Sequence, residues 1–127
     1  MKILVIQQKM IGDVLISSLI CENLKRNFPT AEVHYLINRF TYPVVKNHKY
    51  IDEFVFFEDE YKNHKLKFLR FLNDLKSESY THVFDAYGKL ESNLMTYFTK
   101  AQFKYSYKKW YTNWMYTKTF KESSKAK

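Results

Sequence analysis

Apolar positions along this chain alternate between two rhythms. Ile3 to Ile6 is an unbroken β-branched and leucine run, the pattern of a strand buried on both faces of a parallel sheet. After a polar gap, Val14, Leu15, Leu19, Ile20 and Leu24 recur at helical spacing from Gly12-Asp13 onward. Phe28-Pro29 closes that helix, because proline disfavours helical geometry in the residue before it. Ala31 to Ile37 then alternates as a strand, with Val33, Tyr35 and Ile37 on one side and His34 and Leu36 on the other. Together these form a βαβ unit, whose crossover is right-handed.

The alternation continues downstream. Tyr42-Pro43-Val44-Val45 predicts a short helix opened by its proline, and Ile51 to Phe57 a third strand. Glu58-Asp59-Glu60 precedes a helix over roughly 61–77 and suits the positive end of its dipole. In that helix Leu66, Leu69, Leu72 and Leu75 are expected to pack inward, while Lys62, Lys65, Lys67, Arg70 and Lys76 face water. Thr81 to Asp85 predicts a fourth strand ending in a carboxylate, Gly88 a turn, 90–99 a helix, and Phe103 to Tyr107 a fifth strand. The order predicts an α/β fold, a Rossmann-like parallel sheet with flanking helices, over residues 1–107. Residues 108–127 read as a basic, aromatic C-terminal segment, expected to be truncated or partly disordered.

Composition narrows the class. A chain of 127 residues with 46% hydrophobic and 19% aromatic content can bury a core and is not a disordered sequence. The formal charge of +8 is uneven: residues 1–99 carry 13 basic against 12 acidic side chains, while residues 100–127 carry 8 lysines against Glu122. An acidic partner should therefore meet the C-terminal segment. Cys21 stands alone in a predicted helix, which excludes an internal disulfide and fits a reducing, cytoplasmic compartment. No apolar run is long enough to span a bilayer or serve as a secretory leader. Neither metal spacing nor a glycine-rich dinucleotide or ATP loop follows any strand, so no metal and no bound cofactor are expected.

The candidate chemistry sits after the strands. Asp13 falls at a strand-to-helix turn, where open α/β sheets bind ligands, and is the candidate acid or base. By spacing alone a helix cap is the more usual role of an aspartate near a helix start. Lys9 is a candidate anion contact, Gly12 a point of close backbone approach or positive φ, and Asp85, Gly88 and Lys89 a second binding loop on the same sheet edge.

The stretches Met1-Lys-Ile-Leu-Val-Ile, Ile11-Gly12-Asp13-Val14-Leu15, Leu24 to Pro29 and Val33-His-Tyr-Leu-Ile37 resemble the N-terminal domain of family 9 glycosyltransferases, the lipopolysaccharide heptosyltransferases. Tyr80-Thr-His-Val-Phe-Asp85-Ala-Tyr-Gly88-Lys89, with Ser92 after it, is similar to that family's second motif. Two departures stand out: Gln7 and Gln8 occupy positions where the family often has a basic residue, and the Trp110 and Trp114 segment matches no family motif.

The resemblance implies the N-terminal half of a two-domain GT-B enzyme that moves a heptose-like sugar from a nucleotide-sugar to a lipopolysaccharide-type or other glycan acceptor. Asp13 would be the general base, with the acceptor on this half and the nucleotide-sugar, a donor substrate and not a cofactor, on a missing C-terminal domain. The chain then reads as half an enzyme, by itself inactive. Phe103, Tyr107, Trp110 and Trp114 would share a helix face beside Lys104, Lys108, Lys109 and Lys118. That face either meets an anionic membrane, as a peripheral contact on the inner membrane, or packs on the missing domain. A nucleic-acid-binding module using the same segment is the rival reading, but it leaves the near-neutral α/β body unexplained; a non-catalytic remnant is a further one.

Overall fold

The computed structural model describes residues 1–106 and 118–119. Five strands form its parallel sheet: β1 (Lys2–Ile6), β2 (Glu32–Asn38), β3 (Glu53–Phe57), β4 (His82–Asp85) and β5 (Phe103–Ser106). A two-residue β6 (Lys118–Thr119) extends it beyond β5, giving the order β3-β2-β1-β4-β5-β6. Three helices connect the strands: α1 (Ile11–Asn27), α2 (Lys65–Ser77) and α3 (Leu90–Thr99). The chain runs outward from β1 to β3 and returns beside β1 as β4. That reversal opens a crevice at the carboxyl ends of β1 and β4.

Strand alternation divides the core into two layers. Ile3 and Val5 of β1 join Val14 and Cys21 of α1 and Val33, Tyr35 and Ile37 of β2. Leu4 and Ile6 face the other way, toward Phe71, Leu72 and Leu75 of α2 and Met95 of α3. A central strand covered on both faces needs a continuous apolar run, which Ile3 to Ile6 supplies.

Three expectations need correction. In α1 the inward face is Val14, Ser17, Ser18 and Cys21, while Leu15 and Leu19 are exposed. The helix lies close enough to β2 for the Tyr35 hydroxyl to donate to the Val14 carbonyl at 2.7 Å, and large aliphatic side chains would not fit between them. In α2 the buried stripe is Phe71, Leu72 and Leu75 with Phe68 beside it; Leu66 and Leu69 are 72% and 55% exposed. Phe68 and Phe71, one turn apart on α2, and Tyr61 of the preceding 3-10 turn gather edge to face around Phe57, and that aromatic cluster sets the rotation of the helix.

The third correction concerns the connections. The acidic cluster does not open α2, because a 3-10 turn, Asp59–Lys62, intervenes and Glu58 pairs with Arg39. Pro43 lies inside the 3-10 turn Arg39–Val44 instead of opening a helix. Cys21 is buried, and burial pushes its thiol far above the usual range, which fits a structural, unreactive side chain.

Candidate functional site

The crevice at the ends of β1 and β4 contains a cavity of about 270 Å³, lined by Gln7, Lys9, Asp13, Ile16, Ser17, Ala86 and Tyr87. Asp13 stands in the first turn of α1, and its Oδ2 accepts from the Met10 N–H at 3.3 Å. Its other carboxylate oxygen makes no hydrogen bond among the described residues. The side chain is half-buried and lies at the sheet tips. One oxygen thus caps the helix through a long bond, and the carboxylate still borders open space.

Lys9, exposed, shares the cavity wall with Asp13 but forms no ion pair with it. Gly12 is exposed, with nothing within 4 Å of where a Cβ would lie, and Gly88 is the described glycine at positive φ. Conformation therefore does not require glycine at position 12. Gly12→Ala is expected to stabilise the chain by up to about 1 kcal/mol, visible as a higher urea midpoint. If ligand approaches the backbone at Gly12, the same variant binds it more weakly.

The second motif divides its labour. Asp85, the last residue of β4, is fully buried, and its Oδ1 accepts from the Tyr87 and Gly88 N–H groups at 3.0 and 2.8 Å. It shapes the loop from beneath. Gly88 has φ 67°, the left-handed geometry in which glycine carries no penalty, and Lys89 is exposed just ahead of α3. The residues that reach the cavity are Ala86 and Tyr87; Asp85, Gly88 and Lys89 do not line it.

Sequence reasoning noted Gln7 only as a departure from a position that is often basic; in the fold it organises the site. Its Nε2 donates to Ser17 Oγ at 2.9 Å and toward the Ala86 carbonyl at 3.4 Å, while its Oε1 accepts from the Lys9 N–H at 3.2 Å. One buried amide thus ties α1, the β1–α1 loop and the β4–α3 loop around the cavity. A cationic side chain could donate to the same acceptors but could not accept from Lys9. The sequence held a signal for this: Ser17 lies one helical turn after Asp13, and Gln7 directly follows the first strand.

Next to Gln7, Gln8 Nε2 donates to Glu91 Oε1 at 3.0 Å. Glu91 borders a neighbouring cavity of about 330 Å³ walled by Phe57, Tyr61, Phe68 and Leu69, with Lys62 and Lys65 also on its wall. Burial pushes the Glu91 carboxyl above its usual range, against the opposing pull of Lys62 and the Gln8 hydrogen bond. A raised native pKa means the associated stability is complete below the unfolded value and lost as pH rises through the native one. Glu91→Gln is accordingly expected to melt higher than the parent at neutral pH, with the difference vanishing below about pH 4.

His34 lies between Glu32 and the Tyr80 hydroxyl, which is a structural role, and no group of described residues is arranged to hold a metal ion. Phe103 belongs to β5, where it stacks on His82 with ring centres 4.8 Å apart, so the expected helical aromatic row does not include it. Tyr107, Trp110 and Trp114, and the expected boundary after 107, lie outside the described residues. No described helix is long and apolar enough to cross a membrane.

No protein-family profile and no curated protein sequence matches the chain. Solved structures do. A glycosyl transferase family 9 protein from Veillonella parvula superposes with a TM-score of 0.82 over 93% of this chain, at 16% identity. The chain has the fold of a glycosyltransferase domain. Escherichia coli heptosyltransferase WaaC, solved with ADP-2-deoxy-2-fluoro heptose, gives 0.78 over 94% of the chain at 15% identity. The E. coli ADP-heptose lipopolysaccharide heptosyltransferase II gives 0.77, also over 94%, at 17% identity. The chain spans only 35%, 42% and 34% of these three structures. The expected Rossmann-like, heptosyltransferase-type architecture is therefore present.

Proposed function

We propose that this chain is the acceptor-side, N-terminal domain of a glycosyltransferase resembling the heptosyltransferases. It would transfer a heptose-like sugar from a nucleotide-sugar to a lipopolysaccharide-type or other glycan acceptor. The observation that carries the reading is Asp13, a carboxylate bordering an open cavity at the reversal point of a sheet that superposes on those enzymes. In the proposed step Asp13 takes the proton of an acceptor hydroxyl as that oxygen bonds to the anomeric carbon. The bond from that carbon to the nucleotide's phosphate breaks, the nucleotide leaves with the electron pair, and the carbon inverts. A carboxylate is a weak base in water, so its effect depends on being held within about 3 Å of the hydroxyl.

Lys9 suits an acidic group on the acceptor, and Tyr87 also lines the cavity. The donor is a nucleotide-sugar held by a second domain, and no cofactor takes part. On this reading the domain by itself is inactive, and its place of action is the cytoplasmic side of the inner membrane. The test is transfer of radiolabelled sugar from a panel of nucleotide-sugars by this chain together with a donor-binding domain. Transfer that requires both parts supports the reading; no transfer from any donor, or transfer without this chain, overturns it.

The charge of the body also favours this reading over nucleic-acid binding. Residues 1–99 carry only one more basic than acidic side chain, and the cavity at the sheet tips carries a carboxylate that would repel phosphate.

A further inference from the structure

Among the described residues strand β3 ends the sheet: it pairs with β2 on one side and with no strand on the other. Its sequence, Glu53-Phe-Val-Phe-Phe57, has neither proline nor bulge to discourage a further strand, and its one charge, at Glu53, is acidic. Phe54, Val55 and Phe56 are only partly buried. Along this edge lies an open cleft of about 510 Å³, larger than the cavity at Asp13, with Phe71 and Leu75 of α2 forming an apolar wall.

The cleft also differs from the rest of the molecule in sign. Glu32, Glu53, Glu58, Asp74 and Glu78 line it against the single guanidinium of Arg39, in a chain whose net charge is +8. Lys2, His34 and Arg39 engage Glu78, Glu32 and Glu58, but Glu53 and Asp74 have no ion pair among the described residues. Exposed strand backbone offers unpaired N–H and C=O groups at every second residue, an apolar wall accepts alternate side chains, and carboxylates select cations.

We propose that the free edge of β3 is a docking site for a basic, extended peptide segment of a partner protein, which adds as a strand. Its backbone pairs with Phe54 to Phe56, its apolar side chains face Phe71 and Leu75, and its lysines or arginines meet Glu53 and Asp74. This inference is independent of the glycosyl-transfer reading, since the cleft shares no residue with the Asp13 cavity.

The probe is a synthetic heptapeptide of alternating lysine and valine, added to the chain while amide hydrogen exchange is followed. Saturable binding that weakens with salt and slows exchange at least tenfold within residues 53–57 is expected. The same peptide N-methylated on alternate residues should not bind, because it keeps the charge but lacks the backbone donors. Glu53→Lys with Asp74→Lys, both exposed, should weaken binding at least tenfold without lowering the melting temperature. Absence of saturable binding, protection outside β3, or equal binding of the N-methylated peptide or of a glutamate-valine peptide would each overturn the proposal. Concentration-dependent protection of β3 without any peptide would replace the partner by a second copy of this chain.

Discussion

Asp13→Asn is expected to reduce sugar transfer by roughly 10²- to 10⁴-fold when the chain is assayed with a donor-binding domain, which is the usual worth of a positioned general base. Asparagine keeps the shape and an oxygen that can still accept from the Met10 N–H, so the helix start should survive. Removing the cap altogether, in Asp13→Ala, should cost no more than about 1 kcal/mol of stability, since the bond is long and the side chain is partly solvated. The two effects separate the two roles of this carboxylate. A large loss of transfer with unchanged unfolding identifies a base; a loss of stability with transfer intact identifies a cap. Parallel measurement of turnover and of the urea midpoint on both variants makes the distinction.

The largest expected effect on stability falls on Asp85. Its buried carboxylate holds two backbone N–H groups of the β4–α3 loop, and Asp85→Ala leaves both donors without that acceptor where Gly88 is itself buried. Leaving a buried donor unsatisfied costs about 1–3 kcal/mol, so urea unfolding should show a loss of about 2–5 kcal/mol. Asp85→Asn keeps one acceptor oxygen and should lose clearly less. Because Ala86 and Tyr87 reach the cavity from this loop, the alanine variant should also loosen the wall opposite Asp13. A loss under 1 kcal/mol would mean that the loop holds its shape without the aspartate.

The fold was legible because β1 is covered on both faces and can tolerate little except an apolar run, so Ile3 to Ile6 identifies itself. Strand ends were visible for a related reason: Asp85 closes β4 and Pro29 follows α1. Helix rotation was harder to read. Apolar spacing places Leu15 and Leu19 inward, yet the close approach of α1 to Tyr35 selects Ser17, Ser18 and Cys21 for that face. That selection depends on distance between elements, which a one-dimensional pattern does not contain.

The site was half legible. Asp13 and Lys9 were identifiable because they follow a strand and open a helix, and both do line the cavity. Of the two reasons offered for Gly12, close backbone approach or positive φ, the second belongs to Gly88. Gln7 was noted only as a departure from a family position that is often basic, because an amide following a strand looks like any polar loop residue. Its importance comes from three partners at positions 9, 17 and 86, the last 79 residues away, which only the folded chain brings together.

The central claim is that an acceptor sugar enters the crevice beside Asp13. Its most direct test is a titration of the isotopically labelled chain with acceptor-type glycans, followed by amide and carboxylate resonances. The account predicts shifts concentrated at Lys9, Gly12, Asp13, Ile16, Ala86 and Tyr87, with the Asp13 carboxylate carbon among those that move. Shifts gathered elsewhere on the molecule, or an Asp13 signal unchanged while a glycan binds to saturation, would contradict it.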